Sequence, residues 1–281
     1  MSVSKVNAIA LSSVSKIDDV AKASIAKLSS VTVPAASSSG IVTSNLVHHY
    51  DASLTGGATS TQLVDQGSGA HNLTYKNGVV QPSGGSVFVE FDGTNDYTGT
   101  LNSVPSTMVP QNLSDSYTWS VFYEHDNKHG SQTLFGAFEY GSEYTFVGIY
   151  ITVINQSGHA EDGTYRMTAA ARYNNSHSQY WRVSGLTANP AQATFTHDGS
   201  RTASGGTIYI NGVAQTTSLV VNTGSGSTSV NYSGATFGQG ADDNRVYFYD
   251  GLIGECLMYD AELTASEVLQ NYNASKTKHG L

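Results

Sequence analysis

Two stretches decide the architecture: Ser86–Tyr97, SVFVEFDGTNDY, and Asp250–Tyr272, DGLIGECLMYDAELTASEVLQNY. In the first, Val87, Val89 and Phe91 alternate with Phe88, Glu90 and Asp92, the two-residue period of a strand with one face toward a core. The run breaks at Asp92-Gly93-Thr94-Asn95, where an aspartate is suited to accept hydrogen bonds from the amides that follow it. The second stretch carries a strand over Leu252–Tyr259 and then Thr264-Ala-Ser-Glu267. That spacing is a capping box, with Leu263 and Val268 placed to form the hydrophobic staple beside it. It predicts a helix over Ala265–Ala274.

Outward from these anchors the chain reads as strands and turns. Tyr117–Glu124 places Tyr117, Trp119, Val121 and Tyr123 on one face, and Tyr144–Ile154, apolar on both faces, predicts a central strand covered on both sides. Leu46–Ala52 opens the body, and strand-like runs recur at Leu134–Glu139, Tyr165–Tyr173, Gln179–Ser184, Ala193–His197, Thr207–Val213, Leu219–Asn222, Ser229–Phe237 and Val246–Tyr249. Only 12% of residues are charged, while Gly (29) and Tyr (17) are abundant, which suits many short strands joined by tight turns. The fold class is all-β: two packed antiparallel sheets with a short C-terminal helix. At 281 residues the chain accommodates one large sandwich over 42–281 plus an extension.

Charge and cysteine content exclude several classes. Residues 1–44 hold four lysines against two aspartates, net +2, so the remainder carries −11 of a total of −9. An acidic body argues against nucleic acid or an anionic membrane as partner, since phosphate binding depends on Lys and Arg. No apolar run approaches the roughly 18–20 residues needed to span a bilayer. The single cysteine, Cys256, excludes an intrachain disulfide. The N-terminus lacks the apolar core and cleavage site of a secretory signal, which predicts a protein made in the cytoplasm.

The first 33 residues repeat. Lys5, Lys16 and Lys27 recur every 11 positions, each followed by an apolar residue (Val6, Ile17, Leu28), with Ile9, Val20 and Val31 three positions further on. Three short repeats bury little alone and need neighbours to be stable, so residues 1–33 read as an anchoring arm. Residues 34–41, with Pro34 and a Ser/Gly run, read as the linker.

The ordered set Tyr50-Asp51-Ala52, Asp65 in DQGSG, Phe91-Asp92-Gly93 with Asp96-Tyr97, Trp119-Ser120-Val121, Asp198-Gly199, Ile208-Tyr209-Ile210-Asn211-Gly212, Phe237-Gly238 and Gly251–Glu255 with Leu263-Thr264 resembles the laminin-G-like, concanavalin A-type jelly-roll domains over about residues 46–274. Where that family often carries Trp, this chain has Gln62-Leu63 and Asn189-Pro190. The arm resembles repeats that open structural proteins of tailed bacteriophages. Together the two resemblances imply a non-enzymatic virion protein, a capsid decoration or tail-fibre component. Its arm would bind other virion proteins, and the protein would assemble as a homo-oligomer. The alternatives are an adhesin recognising host glycans, and a glycoside hydrolase or lyase.

Site residues are sparse. Retaining glycosidases need two carboxyl groups about 5–5.5 Å apart, and Glu90 with Asp92 is the nearest pair but lacks a third acid; no catalytic residue is assigned. Tyr173, Asn174, Asn175, His177, Tyr180 and Trp181 form the densest aromatic and polar cluster and are the candidate carbohydrate site, against a plain role in the core. His48-His49 and His125-x-x-x-His129 lack the further ligands that zinc needs. The resemblance implies Ca2+ as the most credible ion, with Asp92/Asn95/Asp96 and Asp242/Asp243/Asn244 as loop oxygens in reach, though neither has the spacing of a defined calcium loop.

Overall fold

The computed structural model describes residues 40–281 apart from 55, 80–86, 102–103, 113, 127–129, 139–145, 155–162, 175–176, 201, 224–231, 233 and 243–244. The repeat arm, and with it Lys5, Val6, Ile9, Lys16, Ile17, Val20, Lys27, Leu28 and Val31, lies outside the described residues. Gly40–Leu281 form one compact unit.

Among the described residues, seven strands make one sheet: β1 (Leu46–Tyr50), β4 (Val89–Asp92), β6 (Tyr117–His125), β11 (Ala191–His197), β12 (Gly206–Ile210), β13 (Val213–Ala214) and β18 (Asp250–Tyr259). Their order is β1-β18-β6-β11-β12-β13, with β4 also paired to β18. The second sheet holds nine: β2 (Gln62–Leu63), β3 (Leu73–Lys76), β5 (Tyr97–Leu101), β7 (Gly130–Phe138), β8 (Phe146–Ile154), β9 (Thr164–Asn174), β10 (His177–Leu186), β14 (Ser218–Thr223) and β15 (Gly234–Phe237), in the order β14-β10-β9-β8-β7-β15-β5-β3-β2. A separate hairpin joins β16 (Gln239–Asp242) to β17 (Arg245–Phe248). All ladders are antiparallel, so the fold is the expected two-sheet jelly-roll sandwich.

The core follows from strand alternation. Tyr117, Trp119, Val121 and Tyr123 on β6 are all buried, as their spacing predicts. Trp119 meets Phe135 of the opposite sheet at 5.2 Å between ring centroids. Phenols buried between sheets need hydrogen-bond partners, and these have them: Tyr123 Oη and Tyr165 Oη are 2.6 Å apart, and Tyr165 Oη donates to the Ala188 carbonyl at 2.7 Å. Strand β8 departs from expectation. Val147, Ile149, Ile151 and Val153 are buried while Tyr150 and Thr152 on the other face are only half-buried, so its outer face is not fully covered.

The helix α1 (Ala265–Ser275) begins with the predicted capping box, Thr264 and Glu267 each satisfying the other's backbone amide. Its staple residues Leu263 and Val268 join Val42, Tyr209, Leu257 and Tyr259 in a second apolar cluster. Asn271 ties this layer together. Its Oδ1 accepts from the Val42 amide at 2.8 Å, and its Nδ2 donates to Tyr259 Oη at 3.0 Å. No helix among the described residues is long and apolar enough to cross a membrane.

Trp181 belongs to this core. It has no exposed surface, its ring lies 5.3 Å from Phe195 and 5.0 Å from His197, and a Cβ added at Gly206 would meet its indole at 2.6 Å. Replacing a buried indole leaves a large cavity, so Trp181→Ala is expected to cost about 3–5 kcal/mol in urea unfolding. A loss below about 1 kcal/mol would show that the ring is not part of the packing.

Candidate functional site

The candidate carbohydrate cluster does not assemble around its tryptophan. Trp181 faces the core, where it offers no ring face to a ligand; Tyr180, next along β10, is half-buried. Asn175 lies outside the described residues, as do the side chains of Tyr173, Asn174 and His177. The carboxylate pair is equally plain. Glu90 and Asp92 are exposed, and Asp92 Oδ1 accepts from the Thr94 and Asn95 amides at 2.8 and 3.2 Å, the turn role its sequence context predicts. Asp96 is buried, which pushes its carboxyl up, and Asp92 and Glu90 push it further. Asp243 and Asn244, and the side chain of Asp242, lie outside the described residues, as does His129.

Two polar constellations form instead, and both start at β1. The pleat sends His48 and Tyr50 to the inner face and His49 to the outer one. His48 Nδ1 lies 2.7 Å from Asp65 Oδ2 and its Nε2 3.0 Å from Thr107 Oγ1. Asp65 also accepts from the amides of His49, Gly67 and His71 at 3.0, 2.8 and 2.9 Å. Burial would raise its pKa, but the bonds from His48 and these three amides outweigh that and hold it below the ordinary range.

Thr107 is exposed and stands on the wall of a cavity of about 510 Å³ formed largely by residues 106–119. Ser106, Ser114, Asp115, Ser116 and Asp260 supply its polar lining; Tyr117, Trp119 and Tyr259 supply its aromatic floor. Asp115 is preset, its Oδ2 accepting from the Gln111 and Asn112 amides at 2.7 and 2.8 Å. The volume is that of a small-molecule site, and its accessible lining is more polar than apolar. Hydroxyls and a carboxylate can exchange hydrogen bonds with an oxygen-rich ligand.

On the outer face, His49, Asp51 and Glu255, all buried, bring ligand atoms within 4.8 Å of one another, a cluster consistent with a divalent-cation site. His49 Nε2 is 2.7 Å from Glu255 Oε1. Lys278 places Nζ 2.5 Å from Asp51 Oδ2 and 3.3 Å from Glu255 Oε2. Burial would raise the Glu255 carboxyl, yet His49, Lys278 and Ser275 bring it down to about 2. Cys256 beside it is buried, and burial, then the charges of Glu255 and Asp51, push its thiol far up. It is a small core residue, as expected. None of these contacts has a spacing signature: Thr107 is 59 residues from His48 and Glu255 is 206 from His49.

The match to a family model covers residues 92–269, described as the concanavalin A-like lectin/glucanases superfamily. This chain belongs to that superfamily. Like other concanavalin A-like domains it shares its fold with much larger proteins. Trypanosoma rangeli sialidase, solved with a difluoro-KDN ligand, superposes with a TM-score of 0.58 at 14% identity, over 87% of this chain and 36% of the sialidase. The binding domain of botulinum neurotoxin DC, in complex with rat synaptotagmin II, superposes with a TM-score of 0.55 at 14% identity, over 83% of this chain and 52% of that one. A structure concerned with the interaction of botulinum neurotoxin type C with two ganglioside molecules gives 0.56 at 13% identity, over 83% of this chain and 52% of that one. The chain thus spans about a third of the sialidase and half of the toxin domains. Among curated proteins no sequence match was found.

These likenesses overturn the expectation of a virion structural protein without enzymatic activity. The structures that share this fold include a catalytic sialidase and toxin binding domains, and the three named here are not capsid, decoration or tail-fibre components. What they support is the fold of a concanavalin A-like domain.

His197, buried behind Tyr117 and the Asp115 backbone, gives a test of this region. It is buried beside Tyr117 and Trp181, with Nδ1 3.1 Å from the Asp115 carbonyl and Nε2 3.1 Å from that of Ser200. Burial lowers its pKa, and this outweighs the opposing pull of those carbonyls and of Asp198 and Asp115. The unfolded chain therefore binds this proton first, and stability falls as pH drops below about 6.5. His197→Phe is expected to lose less stability than the parent between pH 7.5 and 5 in urea unfolding; an equal loss in both would show that His197 does not contribute.

Proposed function

We propose that the domain is a glycan-binding module whose site is the cavity around Thr107. The observation that carries this is its lining: Ser106, Thr107, Ser114, Asp115 and Ser116 line a space of about 510 Å³ whose inner end reaches the buried Tyr117 and Trp119. Sugars present many ring hydroxyls, and this lining offers hydrogen-bond partners for them. Asp115 and Asp260 give the site a negative character, so neutral or cationic sugars suit it better than acidic ones. Support from the fold comes at the level of the superfamily, and from likeness to a sialidase in complex with sialic acid and to a botulinum neurotoxin whose cell entry depends on ganglioside molecules.

Ser106 is exposed on the cavity rim, so Ser106→Trp can fill the entrance without disturbing the core. With a ligand found on a panel of immobilised glycans, this variant is expected to lose binding in calorimetry while keeping the parent's melting temperature. Unchanged affinity would remove the cavity from the reading.

A second reading rests on the Asp65–His48–Thr107 line, an imidazole held between a buried carboxylate and an exposed hydroxyl. That arrangement suits removal of an ester group from a bound sugar. His48 Nε2 would take the Thr107 proton as Oγ1 attacks the acyl carbon and then return it to the leaving alcohol; water would release the acyl group from Thr107. On acetylated sugars, Thr107→Ala is expected to abolish acetate release and Thr107→Ser to retain it. No release by the parent would end this reading and leave glycan binding standing.

A further inference from the structure

The outer-face cluster carries more than an ion pair. The turn after α1 folds back, with the His279 amide donating to Ser275 and Lys276 carbonyls at 3.3 and 3.1 Å and the Leu281 amide to Lys276 at 2.9 Å, and so delivers Lys278 and His279 beneath β18. The His279 ring is 3% exposed and stacks on Phe122 at 4.2 Å, with Phe88 against it at 5.1 Å. Neither of its nitrogens has a hydrogen-bond partner among the described residues, and Nε2 lies 4.0 Å from Glu255 Oε2. Leaving a buried imidazole unpaired is costly, so its position calls for a reason.

The surroundings are shaped to admit it. A Cβ at Gly254 would meet the His279 ring at 2.6 Å, so the residue next to Glu255 must lack a side chain for the imidazole to enter. The carboxylates are oriented as well. Asp51 Oδ1 is held by the Ser53 amide and hydroxyl at 2.9 and 2.6 Å, leaving Oδ2 to face inward; Glu255 Oε1 is engaged by His49, leaving Oε2 toward Lys278 and His279.

We propose that His49, Asp51, Glu255 and His279 form a binding site for a divalent transition metal of the Zn2+ type, in which the Lys278 ammonium stands in the cation's place when no ion is bound. Two imidazole nitrogens and two carboxylate oxygens make a four-ligand set natural for zinc, whereas calcium takes six to eight oxygens. Bonds of about 2 Å to four tetrahedral ligands place the ligand atoms about 3.3 Å apart. The existing separations run from 2.7 Å (His49 Nε2 to Glu255 Oε1) through 4.0 Å (His279 Nε2 to Glu255 Oε2) up to 4.8 Å within the His49, Asp51 and Glu255 set, so the ligands would draw in by as much as about 1.5 Å to close on an ion. Asp51, Glu255 and Lys278 together carry −1; exchanging the ammonium for a divalent ion neutralises them. The Lys278 side chain is 27% exposed and has a path back to water.

The test is titration of the full chain, purified free of metal, with Zn2+, Co2+ and Ca2+ in separate experiments, read by calorimetry, melting temperature and the visible spectrum of the cobalt form. One Zn2+ per chain should raise the melting temperature, and Co2+ should show the intense bands of four-coordinate cobalt. Lys278→Met removes the competing cation and is expected to tighten Zn2+ binding at least about tenfold. His279→Phe keeps the stack on Phe122 and is expected to weaken it about 10–100-fold and to abolish the four-coordinate cobalt spectrum. Zn2+ binding that neither substitution changes would belong to other histidines and overturn the proposal. So would a melting shift with Ca2+ alone, or no binding by the Lys278→Met protein while it remains folded.

Discussion

Strand β18 is paired along both edges and covered on both faces, and the rest of the domain is arranged by that constraint. One edge carries β6 and the other β1 and β4. Its inner side chains, Cys256 and Met258, enter the main core; its outer ones, Leu257 and Tyr259, lie under α1. A strand so enclosed ordinarily reads as an unbroken apolar run. This one holds a glutamate, and a carboxylate removed from water must be compensated. Glu255 is therefore what obliges His49 to face outward and the segment after α1 to return with Lys278.

The same logic governs the interior of the sandwich. Asp65 is buried and fully engaged as an acceptor, which fixes the DQGSG turn to β1 through the His49, Gly67 and His71 amides. Its tie to His48 then carries polarity through the core edge to Thr107 at the cavity. The aromatic floor of that cavity is the end of the stripe that packs β6 against the opposite sheet. Tyr117 and Trp119 both line the cavity and pack the core, so substitutions at those rings would confound stability with any effect on binding in a way that changes at the rim would not.

Period and local chemistry made the architecture legible in the sequence. The alternation of Val89 and Phe91 against Glu90 and Asp92, the β6 stripe, and the Thr264/Glu267 box all depend on contacts within a few residues, and all appear as expected. The β8 face was not legible. Tyr150 is apolar enough to suggest burial, but what covers an outer face depends on a remote segment. The functional constellations were illegible for the same reason, since sheet order joins residue 49 to 255, and 48 to 107. Density of aromatics along the chain proved a poor guide: Trp181 drew attention through neighbours such as Tyr180, yet strand alternation turns it inward while Tyr180 takes the opposite face.

The pleat of β1 links what the two faces do. His48 and His49 are adjacent in sequence and on opposite faces, one bound to Asp65 and Thr107, the other to Glu255, and the His49 amide is itself held by Asp65. A shift of β1 by one residue would send each imidazole to the opposite face, so that at most one of the two carboxylates would still meet a histidine. The register is guarded on both sides: Tyr50 packs edge-on against Phe237 within the core, and Tyr259 Oη donates to the Val42 carbonyl just ahead of the strand. β1 thus anchors both constellations at once, through neighbouring side chains that answer to different sides of the sheet.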